Sequence, residues 1–250
     1  MKNWLKIIIF IIIFTLVFWL LRGEEGLLIS SLPLLMADVG GLGWLYSTIG
    51  LIFTLMAAFV IVYEAERWSS LNEAVNNEIS AIGELIIWSK NFSTEAQAKL
   101  TKGLRDYINL VAKDEWEKSR NGQKSAKIDK PLTELNQAIV SIAKESPEMS
   151  DQSFDLFSEI LNTRADRIHF SLLHTPRIII NTLVFSDIML IVFSLFVGVQ
   201  DIALAYLFEL GIAILGFVVY LVVIDLDSPL KPGGWHLTTD DYKELLNHLV

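Results

Sequence analysis

Apolar residues gather in four long runs, and most of the charges lie between the second and the third. The runs are about 3–21, "NWLKIIIFIIIFTLVFWLL"; about 43–63, "GWLYSTIGLIFTLMAAFVIVY"; about 178–198; and about 202–224, "IALAYLFELGIAILGFVVYLVVI". Each is long enough to cross a bilayer, which takes roughly 20 residues in a helix. A soluble domain mixes apolar and charged positions within each helical turn; here they are segregated along the chain. Trp4, Trp19, Trp44, Trp68, Tyr206 and Tyr220 stand near run ends, where amphipathic rings favour the headgroup level. A cleaved leader is the other reading of the first run. "RGEEGLLIS" follows it without a small-x-small site, so a retained helix is expected.

The stretch from about 64 to 175 reads as helical throughout. Leu71, Val75, Ile79, Ile82, Leu85 and Ile86 recur at helical spacing, so the second span is expected to continue past the membrane. "TEAQ" (Thr94 to Gln97) has a capping-box pattern and opens the next helix, which ends near Asn121-Gly122. Pro131 suits a helix first turn, and that helix stops near Pro147. A further helix runs from about Asp151 to His174, and Pro176 marks the junction with the third span. The fold class expected is therefore an all-α membrane protein with four spans. The domains expected are 1–63, a helical 64–175, 176–224, and a C-terminal tail over 225–250.

Charge adds orientation. Fifteen of the 20 Lys and Arg lie between Arg67 and Arg177, Lys2 and Lys6 precede the first span, and Lys231 and Lys243 follow the fourth. Arg22, beside Glu24 and Glu25, is the sole basic residue between the first two spans, and none lies between the third and fourth. Positive charge stays cytoplasmic, so both termini and the central segment are expected inside, in a bacterial inner membrane. The net charge of −9 speaks against general nucleic-acid binding. With no cysteine, thiolate metal sites and cysteine nucleophiles are excluded.

Catalytic patterns are not found. There is no phosphate-binding glycine loop, nucleophile elbow or HExxH, so no enzyme activity and no cofactor are expected. His169 and His174 are five apart and do not share a helix face; His236 and His248 lie in the tail. "DEWEK" (Asp114 to Lys118) reads as a solvated helix end.

Several ordered features resemble the bestrophin-like family of membrane proteins. They are the two-spans, helical insert, two-spans layout; "VNNEISAIGEL" with Glu78 and Leu85; "LRDYINLVAKDEW" with Tyr107, Glu115 and Trp116; "RADRI" with Arg164 and Arg167 before Pro176; and "DLDSPLKPGG" after the fourth span. The resemblance covers about 40–235. A looser resemblance extends to the bestrophins proper, homopentameric anion channels lined by their second helix. It implies a homo-oligomeric, pentameric ion channel, permeable to anions before cations, with the lipid bilayer, further copies of itself and small inorganic ions as partners. Aligning Arg67-Trp68 with the end of the bestrophin pore helix puts Leu51, Leu55 and Phe59 at three apolar neck positions. Such a ring gates by dewetting; ordinary packing is an equal reading of apolar residues at this spacing. Ser47, Gly50, Thr54 and Ala58 form a neighbouring small or weakly polar face. "DLDSPL" is similar to the acidic turn that binds calcium in some bestrophins, which makes Asp225 and Asp227 weak metal candidates. Leu230 stands where that family usually has Phe, and a helix-ending turn is the simpler reading.

Two acids fall inside spans: Asp187 near the middle of the third, and Glu209 about two turns into the fourth. An unpaired carboxylate in hydrocarbon costs several kcal/mol, roughly. Asp187 is thus expected to be a neutral or partly wet acid buried between the third and fourth spans, with Asn181, Ser186 and Ser194 as polar company. An ion or proton path through Asp187 and Glu209 is the competing reading, and it favours cations. Outside the channel class, the alternative is a membrane-anchored sensor or scaffold whose cytoplasmic helices bind a protein partner.

Overall fold

The computed structural model describes residues 2–22, 39–145, 147–195 and 201–249. The expected connection with Glu24 and Glu25, the end of the expected third span (196–198) and the side chain of His248 lie outside the described residues. Among the described residues all regular structure is helical. The elements are α1 (Lys2–Arg22), α2 (Val39–Ser89), α3 (Thr94–Leu110), a π-helical turn (Val111–Glu115) and α4 (Trp116–Arg120). After them come α5 (Asp129–Glu145), α6 (Ser150–Leu172), α7 (Arg177–Ser194), α8 (Ile202–Asp227) and α9 (Asp240–His248). Four are long and apolar enough to cross a membrane: α1, α2, α7 and α8. α2 has 51 residues, about 75 Å at 1.5 Å per residue. It contributes to both compact units of the chain, Met1–Glu64 with Thr175–Asp227, and Ala65–His174 with Ser228–Val250.

In the first unit α8 is the common neighbour. Its buried positions Ala205, Glu209, Ala213 and Gly216 recur every three or four residues, forming a narrow stripe of mostly small side chains. Without a hydrophobic drive between helices in lipid, such stripes let backbones approach and dispersion hold them. α1 packs there through Phe14 and Phe18, with Phe18 edge-on to Tyr206 at 5.1 Å. Thr15 Oγ1 lies 2.8 Å from the Tyr206 hydroxyl. Phe53, Ala57 and Val60 of α2 pack with Leu183 and Leu190 of α7 and Val223 of α8. Pro176 immediately precedes α7, and Asp227 Oδ1 accepts the Thr175 N–H at 2.8 Å.

The second unit has an apolar core of ordinary composition. Leu71, Ile82 and Leu85 of α2 meet Leu100, Leu104 and Ile108 of α3 and Leu135, Ile139 and Ile142 of α5. At Gly103 α3 and α5 approach closely: a Cβ there would lie 2.8 Å from Leu135 Cδ2. α3 opens one residue earlier than the "TEAQ" pattern implies: the cap is Ser93, whose Oγ accepts from Ala96 N, and Thr94 is the first helical residue. The C-terminal stretch packs into this same unit. Leu230, Leu237, Tyr242 and Leu249 enter its core, and Trp68 Nε1 donates to Trp235 O at 2.8 Å.

Candidate functional site

In the first unit, the face of α2 opposite Phe53, Ala57 and Val60 is uncovered. Leu51, Leu55 and Phe59 are 61%, 51% and 74% exposed. Ser47, Thr54 and Ala58 are exposed beside them, and Gly50 is half-buried, with Leu190 3.7 Å from where its Cβ would be. Ser47 and Thr54 donate their hydroxyls to Gly43 O and Gly50 O, at 2.9 and 2.8 Å. That internal bond satisfies the hydrogen while leaving an oxygen lone pair outward. These positions therefore make one mixed stripe, apolar residues flanked by hydroxyl oxygens. Phe59 also lines an apolar recess of about 480 Å³ with Met56, Tyr63, Pro176 and Ile179.

Asp187 sits elsewhere. It is half-buried on α7, with its carboxyl against Gly216 of α8 in the space any side chain at 216 would fill. Its Oδ1 is shut off from solvent and has no hydrogen-bond partner. Ser194 and Ser186 bond to backbone oxygens of Ile191 and Thr182 rather than to this carboxyl. Glu209 is buried in the small-residue stripe of α8. Asp225 and Asp227 end α8, and the described residues hold no group of three or more His, Cys, Asp or Glu that could bind a metal.

The second unit contains a buried ionic cluster that charge patterning did not predict. Arg167 of α6 donates from Nε to Glu78 Oε2 of α2 at 2.6 Å and from Nη2 to Glu115 Oε2 at 2.8 Å. Arg164 donates from Nη2 to Glu115 Oε1 at 2.6 Å, and the Tyr107 hydroxyl of α3 donates to Glu78 Oε1 at 2.7 Å. Two carboxylates and two guanidinium groups cancel in formal charge, which is what makes the burial tolerable. Burial, then Glu78, push the Tyr107 and Tyr242 phenols well above their usual range. For Arg167 burial pulls downward, but Glu78 first and then Tyr242, Tyr107 and Glu115 outweigh it, and its proton is held more tightly than usual.

Glu115 corrects the reading of "DEWEK" as a solvated helix end: it is fully buried, while Glu117 faces solvent. Asp114 takes the outer role expected of the segment. Lys127, Ser125 and Lys118 hydrogen-bond it and hold its carboxyl well below the usual range. The π-helical turn ends on Glu115, and such turns re-aim side chains within a helix. The signal available in the sequence was "RADRI" itself. Arg164 and Arg167, three apart, share a helix face on which each guanidinium needs an acceptor.

This layout has counterparts among known proteins. No curated protein matches the sequence. A crystal structure of a point variant of a bacterial bestrophin homologue from Klebsiella pneumoniae superposes with a TM-score of 0.77 at 11% identity. That match covers 98% of this chain and 97% of the other. A second Klebsiella pneumoniae bestrophin homologue structure gives 0.71 at 9% identity over 98% and 96%. A crystal structure described as a membrane protein gives 0.73 at 10% identity over 98% and 97%. At these identities the likeness is one of fold. The model of the bestrophin-like domain matches residues 10–231, and with the four spans and the helical insert it places this chain in the bestrophin-like family of multi-pass membrane proteins.

Proposed function

We propose that copies of this chain assemble around α2 as an ion channel, with Leu51, Leu55 and Phe59 forming an apolar neck. The uncovered stripe on α2 carries this reading. The described residues of one chain supply four spans, too few to surround a conduit, so a pore requires several copies around a symmetry axis; a pentamer fits the family. Rings of Leu and Phe narrow and dewet a pore, and the Ser47 and Thr54 oxygens accept hydrogen bonds from water beside them. Asp187 and Glu209 lie on α7 and α8, off this stripe, and take no part in ion selection in this reading; likeness to the bestrophin channels makes anions the permeant species. The unit formed by Ala65–His174 with Ser228–Val250 lies in the cytoplasm, as its basic residues direct.

Purified protein in a planar bilayer under a tenfold KCl gradient tests this. A reversal potential near that of chloride is expected. A value near the potassium potential would overturn the anion assignment. Absence of current under voltage, pH and calcium steps would reject conduction and favour a membrane-anchored scaffold.

A further inference from the structure

The first unit has an open-sided cavity of about 600 Å³ to which all four spanning helices contribute. Phe10 comes from α1, Phe53 from α2, and Phe185 and Ile188 from α7, while α8 supplies Gly216 and Phe217. Its size is that of a small-molecule site. The wall is apolar apart from three residues: Asn181, Asp187 and Tyr220. No Lys, Arg or His lines it, and Asp187 forms no ion pair among the described residues. A glycine at 216 is what allows this carboxyl to stand at the cavity wall at all. The site thus has the shape of an apolar pocket carrying one uncompensated acid.

We propose that this cavity binds a single-chain amphiphilic amine, its nitrogen hydrogen-bonded to the Asp187 carboxyl and its hydrocarbon chain laid along Phe185, Ile188 and Phe217. Charge complementarity selects the class. An anionic amphiphile is repelled by a carboxylate and a neutral one offers it only an uncharged hydrogen bond, whereas an amine pairs with it through a charge-assisted one. A lipid headgroup is a poor occupant. Asp187 lies seven residues from the Ser194 end of α7 and ten from the Arg177 end, about 10 and 15 Å at 1.5 Å per residue, which is deeper than a headgroup rests.

The test is calorimetric titration of the full-length chain in maltoside micelles with decylamine and, separately, decanol, with protein-free micelles as the blank. Decylamine is expected to bind about tenfold or more tightly than decanol, the effect of one charge-assisted hydrogen bond against an apolar wall. Asp187→Asn keeps the side-chain size and is expected to bring the two ligands to within about twofold. Equal affinities for the native chain, or a preference that survives Asp187→Asn, would overturn the proposal. Should Asp187→Asn not fold, Ile188→Trp narrows the cavity with the acid intact; decylamine binding is then expected to be lost, and its retention would place the amine elsewhere. None of these readouts depends on conduction.

Discussion

Arg167 touches both Glu78 and Glu115 and is fully buried, so it is the residue on which the ionic cluster turns. Replacing it with Met leaves two carboxylates facing one guanidinium in a dry core. The expected cost is about 3–5 kcal/mol, read from unfolding followed by circular dichroism. A loss within about 1 kcal/mol would mean that water reaches the cluster. The buried phenols give the cluster a pH signature. Tyr107 and Tyr242 keep their protons in the folded chain above their ordinary value of 10.0, while the unfolded chain releases them. The folded state then binds more protons, so stability is complete below pH 10 and declines as pH rises above it. Each phenol contributes about 1.4 kcal/mol per pH unit until it titrates in place. Tyr107→Phe should halve the part of this slope that the pair contributes, and a slope unchanged by that substitution would exclude Tyr107 as a source. In the membrane unit, Gly216→Ala should cost about 1–3 kcal/mol, because its methyl must displace the Asp187 carboxyl. Adding Asp187→Ala to the same chain should recover most of that loss, and simple additivity would contradict the close approach. These residues were unevenly legible. Asp187 stands out in sequence as an acid among apolar neighbours. Glu115 does not, because its partners come from a helix 49 and 52 residues later, and no local pattern reports a contact that distant.

At the scale of elements, hydropathy and periodicity located most of the helices, since both are local properties. The four apolar helices, the continuation of α2 to Ser89, the helix end at Asn121-Gly122 and the start of α7 after Pro176 are as expected among the described residues. Two details of the 64–175 segment escaped. One is the cap of α3. Ser93 and Thr94 are adjacent and both cap well, and only the backbone decides which does. Ser93→Ala is therefore expected to cost about 1 kcal/mol, and Thr94→Ala less than about 0.5; the reverse order would restore the capping-box register. The other is the π-helical turn. An i→i+5 turn holds one residue more than an α turn, so the residues beyond it are rotated by about 100° relative to an unbroken helix. Nothing in "NLVAKDEW" announces it, because the extra residue is accommodated by the ion pairs that Glu115 gains. Deleting Ala112 would return the segment to α spacing and swing Glu115 off Arg164 and Arg167. The deletion should destabilise the chain at least as much as Glu115→Ala; a milder effect would show the turn to be incidental.

At the scale of the whole molecule, the same long helix serves two kinds of surroundings. The later part of α2 buries Leu71, Ile82 and Leu85 in a mixed polar and apolar unit, and the earlier part leaves Leu51, Leu55 and Phe59 uncovered. Hydropathy cannot separate the two possible fates of that uncovered stripe, because lipid and a dewetted pore both accept Leu and Phe. Chemistry can. The sequence has no cysteine, so one introduced thiol reports from one place. If the proposed channel assembles around α2, a thiol reagent bearing a quaternary ammonium should reach Leu55→Cys through water and change the current, because it adds a bulky charge at an apolar constriction. The same reagent should leave the current of Leu215→Cys unchanged. Leu215 is 65% exposed on α8, comparable to Leu55, but on a helix that faces lipid if α2 lines the pore. A thiolate forms only where water solvates it, and the charged reagent does not enter hydrocarbon, so the contrast reads solvent rather than exposure in the isolated chain. Equal responses at the two positions would remove α2 from the pore wall even if the protein conducts.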